Sequence, residues 1–311
     1  MTLSILVSNE TDDQAGIQLL GKIEGVNVLP YDPNTLELTE EQRGAQIMMP
    51  PFRGSHRALP LLGQLENLQM VQLLSAGADE WIGDTPKHVV LASARGAHGR
   101  PISEWVMSAV LALYRQWPAL VRFQDEHVWA HRRVDADTLA GKRVLVVGAG
   151  AIGTTVAQRM KAFEASATLV ARTAREGIRA SVDLPELVPG HDIVVIAAPI
   201  NDETRGLVNK EFLAAMPDGA VLVNVGRGQI VDTDALTAEL QTGRLRAALD
   251  VTEPEPLPAD HPIWACENVI ISPHMSRTVP GTNVLCYEVA ARQISTYVTG
   301  GTPSNLVQRD S

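Results

Sequence analysis

The stretch Val144-Leu145-Val146-Val147-Gly148-Ala149-Gly150-Ala151-Ile152-Gly153 constrains this chain more than any other. A four-residue apolar run leads directly into three glycines at GxGxxG spacing, and a helical segment over residues 154–162 follows. Three glycines at that spacing arise easily by chance; the strand before them and the helix after them give the pattern its meaning. In that setting Gly148 permits a tight turn, and Gly150 lets backbone amides approach a pyrophosphate. Gly153 lets the helix pack close to the strand. Ala151 and Ile152, between the second and third glycines, are cofactor-binding candidates with them, and the helix N-terminus favours an anion. The other reading of the stretch is an ordinary strand-to-helix turn.

The rest of the chain alternates in the same way. Apolar strand-like runs fall at residues 3–7, 26–29, 46–49, 70–74 and 89–92, then again at 143–147, 167–171, 192–197, 220–224, 247–251 and 269–272. Helix-length segments separate many of them, which implies βαβ units and parallel sheets. At roughly 150 residues per domain, 311 residues imply two domains, each able to bury a core. Only five Trp, four Tyr and four Phe are present against 45% apolar residues, so the cores rest on Val, Leu, Ile and Ala. That usage suits parallel strands covered on both faces. Residues 102–117 carry apolar side chains almost all round, with Ser103 and Glu104 placed for a first helical turn. Residues 283–299 read as a closing helix with a polar tail after it.

A net charge of −10 without a Lys/Arg run argues against nucleic acid and against an anionic membrane surface. Cys266 and Cys286 form no CxxC or Cys/His spacing, so no metal site is expected, and two buried thiols suit a reducing cytoplasm. The N-terminal residues have no basic region before an apolar core, and no apolar run reaches the length that crosses a bilayer.

A second strand usually ends about 20 residues after such a glycine loop in an Asp or Glu that holds the ribose hydroxyls. Here the corresponding residues are Ala171-Arg172-Thr173-Ala174-Arg175. Arginine suits a ribose 2′-phosphate through charge-assisted, often bidentate hydrogen bonds. The expectation is therefore NADP(H) as the preferred cofactor with NAD second. Arg172 is the main phosphate ligand in that reading, and Thr173 and Arg175 support it. The competing reading is a pair of solvated surface arginines.

Four further motifs follow in order. They are Ala198-Pro199 with Glu203-Thr204-Arg205-Gly206-Leu207-Val208-Asn209, then Val223-Asn224-Val225-Gly226-Arg227-Gly228 with Val231-Asp232, then Ala248-Leu249-Asp250-Val251 running to Glu255-Pro256-Leu257-Pro258, and Ile271-Ser272-Pro273-His274. Together with the glycine loop they resemble the D-isomer-specific 2-hydroxyacid dehydrogenase family over most of the chain. The resemblance implies two Rossmann-like doubly wound α/β domains with the active site in the cleft between them. Residues 1–96 plus 283–311 would form a discontinuous substrate domain, and residues 97–282 the dinucleotide-binding domain. It also implies a homodimer, with residues 102–117 either at its interface or buried within the monomer.

Reduction of a 2-oxo acid needs hydride delivery to the carbonyl carbon and a proton for its oxygen. Histidine suits the proton transfer near neutral pH, and a carboxylate partner orients its ring. By resemblance His274 is that acid–base, Glu255 its partner in preference to Glu253, and Arg227 the ligand of the substrate carboxylate. Ala198, Pro199, Val225 and Gly226 lie beside the cofactor. Asp250 acts through the cofactor or through the His–Glu pair. Leu74-Ser75-Ala76-Gly77-Ala78-Asp79 resembles the loop whose amides bind the substrate carboxylate, which makes Ser75, Ala76 and Gly77 candidates, against a plain strand-to-helix turn.

Glutamate at 255 speaks against a formate dehydrogenase, which carries glutamine there, and Ala76 against a phosphite dehydrogenase, which carries lysine. Arg95 stands where the family usually has Asn. Met49, Phe52, Trp129, Trp264, Met275 and Tyr287 are candidates for the substrate pocket or for packing, and Arg277 for a second acidic group of the substrate. The function implied is hydride transfer between NADP(H) and a small 2-oxo acid or D-2-hydroxy acid. The alternative is a dinucleotide-sensing corepressor-like protein of the same fold.

Overall fold

The structure, a computed structural model, describes residues 2–308. The chain forms two compact units: one ends at His98 and resumes at Val279, and the other is Gly99–Thr278. The outer limits assigned from sequence, residues 1 and 309–311, lie outside the described residues.

The first unit holds five parallel strands, β1 (Leu3–Ser8), β2 (Val26–Tyr31), β3 (Ile47–Met49), β4 (Met70–Gln72) and β5 (Val90–Ala92), in the order β2-β1-β3-β4-β5. Its apolar residues divide by parity. Ile5, Val7, Ile47, Met49 and Met70 join one core layer, while Leu6, Met48 and Val71 join the other. Successive side chains of a strand face opposite sides, so a run of aliphatic residues fills both layers at once.

The C-terminal helix Thr282–Val298 completes this unit, beside the helix Gln14–Leu20. A Cβ at Gly16 would overlap the ring of Tyr287, so glycine is what lets the two helices approach. The Tyr287 hydroxyl donates to Asp13 Oδ1 (2.9 Å), which also accepts the Phe52 amide (3.2 Å), and burial pushes the Asp13 carboxyl above the usual carboxylate range. Residues after the helix are not simply a polar tail. Leu306 bridges antiparallel to Ala92, and the Val307 amide donates to Leu91 O (2.8 Å) at the edge of β5. Arg95 serves this arrangement: its carbonyl accepts from Asn305 and its guanidinium donates to Ser304 O.

The second unit holds seven parallel strands: β6 (Arg143–Val147), β7 (Ser166–Ala171), β8 (Ile178–Ala180), β9 (Ile193–Ile196), β10 (Val221–Asn224), β11 (Arg246–Leu249) and β12 (Val269–Ile271). Their order is β12-β11-β10-β9-β6-β7-β8, a doubly wound sheet whose order reverses between β6 and β9. Six of these strands are legible in the sequence; β8 is not. Its three residues at the sheet edge are only partly covered, so no apolar run marks it.

Parity divides this core too, with Leu145, Val147, Val194 and Ile196 on one side and Val144, Val146, Ile193 and Val195 on the other. The helix Gly99–Tyr114 covers the second side, burying Ile102, Val106, Val110 and Leu113 among others. Its all-round apolar pattern is therefore explained by packing within the chain. It begins three residues earlier than expected, so Ser103 is not in its first turn but donates back to Gly99 O (2.6 Å). It stops before Gln116, whose φ of +56° breaks the helical path, and a separate helix Trp117–Asp125 follows.

Register sets the site. Val147 pairs with Val170 and Ile196, Asn224 with Ile196 and Leu249, and Leu249 with Ile271. The loops that begin at residues 148, 172, 197, 225, 250 and 272 consequently all leave one edge of the sheet. Among the described residues no helix is long and apolar enough to cross a membrane.

Candidate active site

The three glycines after β6 do three different things. Gly148 has φ +113°, in the region that favours glycine, and a Cβ there would lie 2.6 Å from the carbonyl of Ala197. Its amide donates to Val170 O (2.8 Å), so the turn is held between the ends of β7 and β9. Gly153 packs so tightly that a Cβ would overlap Gly148 O. Gly150 has open space where its Cβ would be, and it is the N-cap of the helix Ala151–Ala162. The helix thus starts three residues before the expected 154. Ala151, Ile152 and Gly153 form its first turn, whose amides have no partner within the helix. A bare, open glycine in front of a long helix N-terminus fits a dinucleotide pyrophosphate.

On the β7 side, Arg172, Thr173 and Arg175 are all exposed. Arg175 Nη2 donates to Ala149 O in the glycine loop (3.2 Å), and Arg172 Nε donates to Glu203 Oε2 (2.8 Å). On the β9 side, Ala198 is buried and Pro199 exposed, and the Pro199 carbonyl accepts the Thr204 hydroxyl (2.8 Å). A Cβ at Gly226 would lie 2.7 Å from Ala198 O, so glycine lets the loop after β10 approach the loop after β9. The Val225 amide donates to Ile196 O (3.0 Å) and keeps the two strand ends in step.

Arg227 is half-buried on a loop that the preceding strand clamps. Asn224, buried at the end of β10, accepts the Gly226 amide on Oδ1 (3.0 Å) and donates through Nδ2 to Arg227 O (3.0 Å). Arg227 Nη1 donates to Gly226 O (2.8 Å). Asp232, further along, caps the helix Thr233–Gln241 by accepting the Ala235 amide.

The segment carrying Glu255 is placed by two threonines: Thr252 Oγ1 donates to Pro254 O (2.9 Å) and Thr233 Oγ1 to Glu253 O (2.7 Å). Glu255 Oε1 lies 2.7 Å from His274 Nδ1, and both side chains are a little over two-fifths exposed (42% and 43%). Among the described residues Glu253 makes no such pair, so the fold brings Glu255 rather than Glu253 to His274.

Asp250 was a candidate for the cofactor or for the His–Glu pair. Its carboxylate is buried and anchors the loop of His274, accepting from Ser272 Oγ (2.6 Å), Met275 N (2.8 Å) and Ser276 N (3.0 Å). The Asp250 carbonyl takes the His274 amide (2.7 Å). Asp250 thus braces the loop that carries His274, which fits action through the His–Glu pair, the second of the two roles considered for it. His274 itself has φ +50°, a conformation that persists only where its surroundings over-determine it.

Spacing alone did not point to Asn224, Thr252 or Glu203 as site-shaping residues, although each lies in or beside a motif; Asn224 and Thr252 bind groups two or three residues on, whereas the partner of Glu203 comes from the end of another strand. Gly228 is the sharpest case. A Cβ there would overlap Thr252 O, so Gly228→Ala must push the Arg227 loop off the segment that leads to Glu255. The substitution is expected to lower stability by about 2–4 kcal/mol, in the range of strained backbone and overpacked sites. Urea unfolding read alongside turnover checks this, and an unchanged midpoint would contradict the close approach.

In the first unit, Ser75, Ala76 and Gly77 follow β4. Ser75 Oγ donates to Gly77 O (2.5 Å), and Ser75 O accepts the Ala94 amide (2.8 Å). Among the described residues none of the three amides donates to a protein acceptor. Met49, Phe52 and Tyr287 belong to the core of that unit. Trp129 is exposed, Trp264 donates to Pro258 O, Met275 is exposed and Arg277 half-buried.

The doubly wound sheet, the open glycine loop and a His–Glu pair at the same sheet edge define a dinucleotide-binding oxidoreductase. Residues 107–276 match the family described as D-isomer specific 2-hydroxyacid dehydrogenase, NAD binding domain, and the chain belongs to that family. A glyoxylate reductase of Aeropyrum pernix is 31% identical over 80% of this chain and 79% of its own length. Among solved structures, a D-isomer specific 2-hydroxyacid dehydrogenase family protein from Aeromonas salmonicida superposes with TM-score 0.84 at 28% identity, covering 99% of each chain. A D-isomer specific 2-hydroxyacid dehydrogenase from Xanthobacter autotrophicus in complex with NADPH and MES does so with TM-score 0.81 at 29% identity, covering 99% of this chain and 98% of that one.

Proposed function

We propose that the protein is an NADP(H)-preferring reductase of small 2-oxo acids such as glyoxylate, hydroxypyruvate or a phenylpyruvate-like compound, forming D-2-hydroxy acids. The observation that carries this reading is the 2.7 Å pair between His274 Nδ1 and Glu255 Oε1 at the edge that also holds Arg227 and the glycine loop. The nicotinamide, when bound, supplies the hydride. With Nδ1 committed to Glu255, the proton for the developing alkoxide comes from His274 Nε2, and in oxidation the same nitrogen takes it back. Arg227, its backbone clamped by Asn224, holds the substrate carboxylate and polarises the carbonyl. The Ser75, Ala76 and Gly77 amides are the further carboxylate ligands in this reading.

Arg172 is the main ligand of the 2′-phosphate, with Thr173 and Arg175 beside it. The Xanthobacter relative bound to NADPH supports the phosphate assignment, and the Aeropyrum glyoxylate reductase supports the substrate class. The protein works as a cytoplasmic homodimer in this reading. The helix Trp117–Asp125, which buries none of its residues, and the exposed Trp117, Val121 and Trp129 make a better interface than the helix before them.

A panel of 2-oxo acids run with NADPH and NADH in parallel tests the proposal. At least one acid is expected to be reduced, with kcat/KM about tenfold or more higher for NADPH, the scale of one charge-assisted hydrogen bond. No turnover with any acid would overturn the reductase reading, and better use of NADH would overturn the NADP(H) preference.

A further inference from the structure

The strand β7 ends without a carboxylate, yet the fold delivers one to the same place from another loop. Glu203 Oε2 accepts from Arg172 Nε at 2.8 Å, with both side chains largely exposed (58% and 67%). The acid arrives there because its loop is rigid. Asn201 Oδ1 accepts the amides of Glu203 and Thr204 (3.0 Å each), and the Thr204 hydroxyl ties the turn to Pro199 O (2.8 Å). β7 and β9 lie on either side of β6, so their loops bracket the glycine loop, to which Arg175 is also bonded. We propose that Glu203 is a cofactor-specificity residue, favouring a free ribose 2′-hydroxyl and opposing a 2′-phosphate at Arg172. This rests on the phosphate assignment of Arg172 given above.

The two halves of the role follow from one carboxylate. Toward a 2′-hydroxyl it is an acceptor, the function an Asp or Glu at the end of the second strand serves in an NAD site. Toward a 2′-phosphate it is a like charge, and it occupies the Nε of the guanidinium that the phosphate must engage. Among the described residues the two Nη groups of Arg172 donate to no protein acceptor, so the phosphate has donors to take while Glu203 resists its approach. Exposed ion pairs are weak, so this one opens at little cost. The site therefore accepts both dinucleotides, and its preference is the balance between Arg172 and Glu203.

Adenosine 2′,5′-bisphosphate and AMP isolate this balance from turnover, since neither carries a nicotinamide. Titration calorimetry with Glu203→Gln is expected to show the bisphosphate binding about three- to tenfold tighter and AMP several-fold weaker than in the unsubstituted protein. KM for NADPH and NADH should move in the same opposite directions. A bisphosphate-to-AMP affinity ratio changed less than twofold, or equal weakening of both ligands, would overturn the proposal. Glu203→Ser provides the same reading should the glutamine variant not accumulate. Arg172→Ala separates the two layers of inference. If it leaves the ratio unchanged, the phosphate assignment fails. If it lowers the ratio while Glu203→Gln does not raise it, only the role of Glu203 fails.

Discussion

Replacement of His274 by asparagine is expected to lower kcat for 2-oxo acid reduction by about 10²–10⁴-fold, the range that a positioned general acid contributes. Asparagine keeps a donor near Glu255 and tolerates the positive φ of this position, so the loop geometry survives the change. The loop is in any case held by Asp250, which grips Ser272, Met275 and Ser276 rather than the imidazole. Dinucleotide affinity should stay within about twofold, because the glycine loop and Arg172 leave other strands of the sheet. Stopped-flow reduction with saturating NADPH, together with nucleotide titration by fluorescence, reads both quantities. A kcat within fivefold of the parent would remove His274 from the mechanism.

Arg227→Lys is expected to lower kcat/KM by about 10²–10³-fold, the cost of losing a directed electrostatic contact. Lysine keeps the charge but loses the planar fork that matches a carboxylate, so the change is not conservative here. Asn224 clamps the backbone on both sides of the side chain, and Arg227 donates one further bond to Gly226 O. The damage should therefore be local, with the unfolding midpoint little changed. Steady-state kinetics against oxo acid concentration make the check: a KM and kcat both near the parental values would show that Arg227 does not touch the substrate.

These two predictions draw on different kinds of information. Each residue was picked out by its motif, because imidazole and guanidinium chemistry attach to residue types that a sequence displays directly. The choice between Glu253 and Glu255 is different, since both are acids in the same loop. Which carboxylate reaches His274 from the loop of the neighbouring strand is a matter of the fold, and it is Glu255. Asp250 shows the same division: its place at a strand end marks it as a site residue, and only the fold shows that its carboxylate braces three groups of the His274 loop.

The sheet tells a similar story. Eleven of the twelve strands begin or end within a residue or two of their apolar runs, because burial on both faces demands continuous aliphatic sequence. β8 has partial cover and no such run, and the break at Gln116 depends on one positive φ that no glycine marks.

The sequence by itself therefore determined the α/β class, the glycine loop, the residue types of the candidate site and the absence of an acid after the second strand. Those features are local: periodicity, spacing and side-chain chemistry lie in neighbouring residues. Tertiary structure alone decided which glutamate meets His274, that Asp250 holds the loop of His274, and that Glu203 supplies a carboxylate to Arg172. Each of these joins residues from different strand-end loops or a strand end to the loop it braces. Parallel register brings the loops to one edge, and no spacing along the chain encodes which of their side chains will touch.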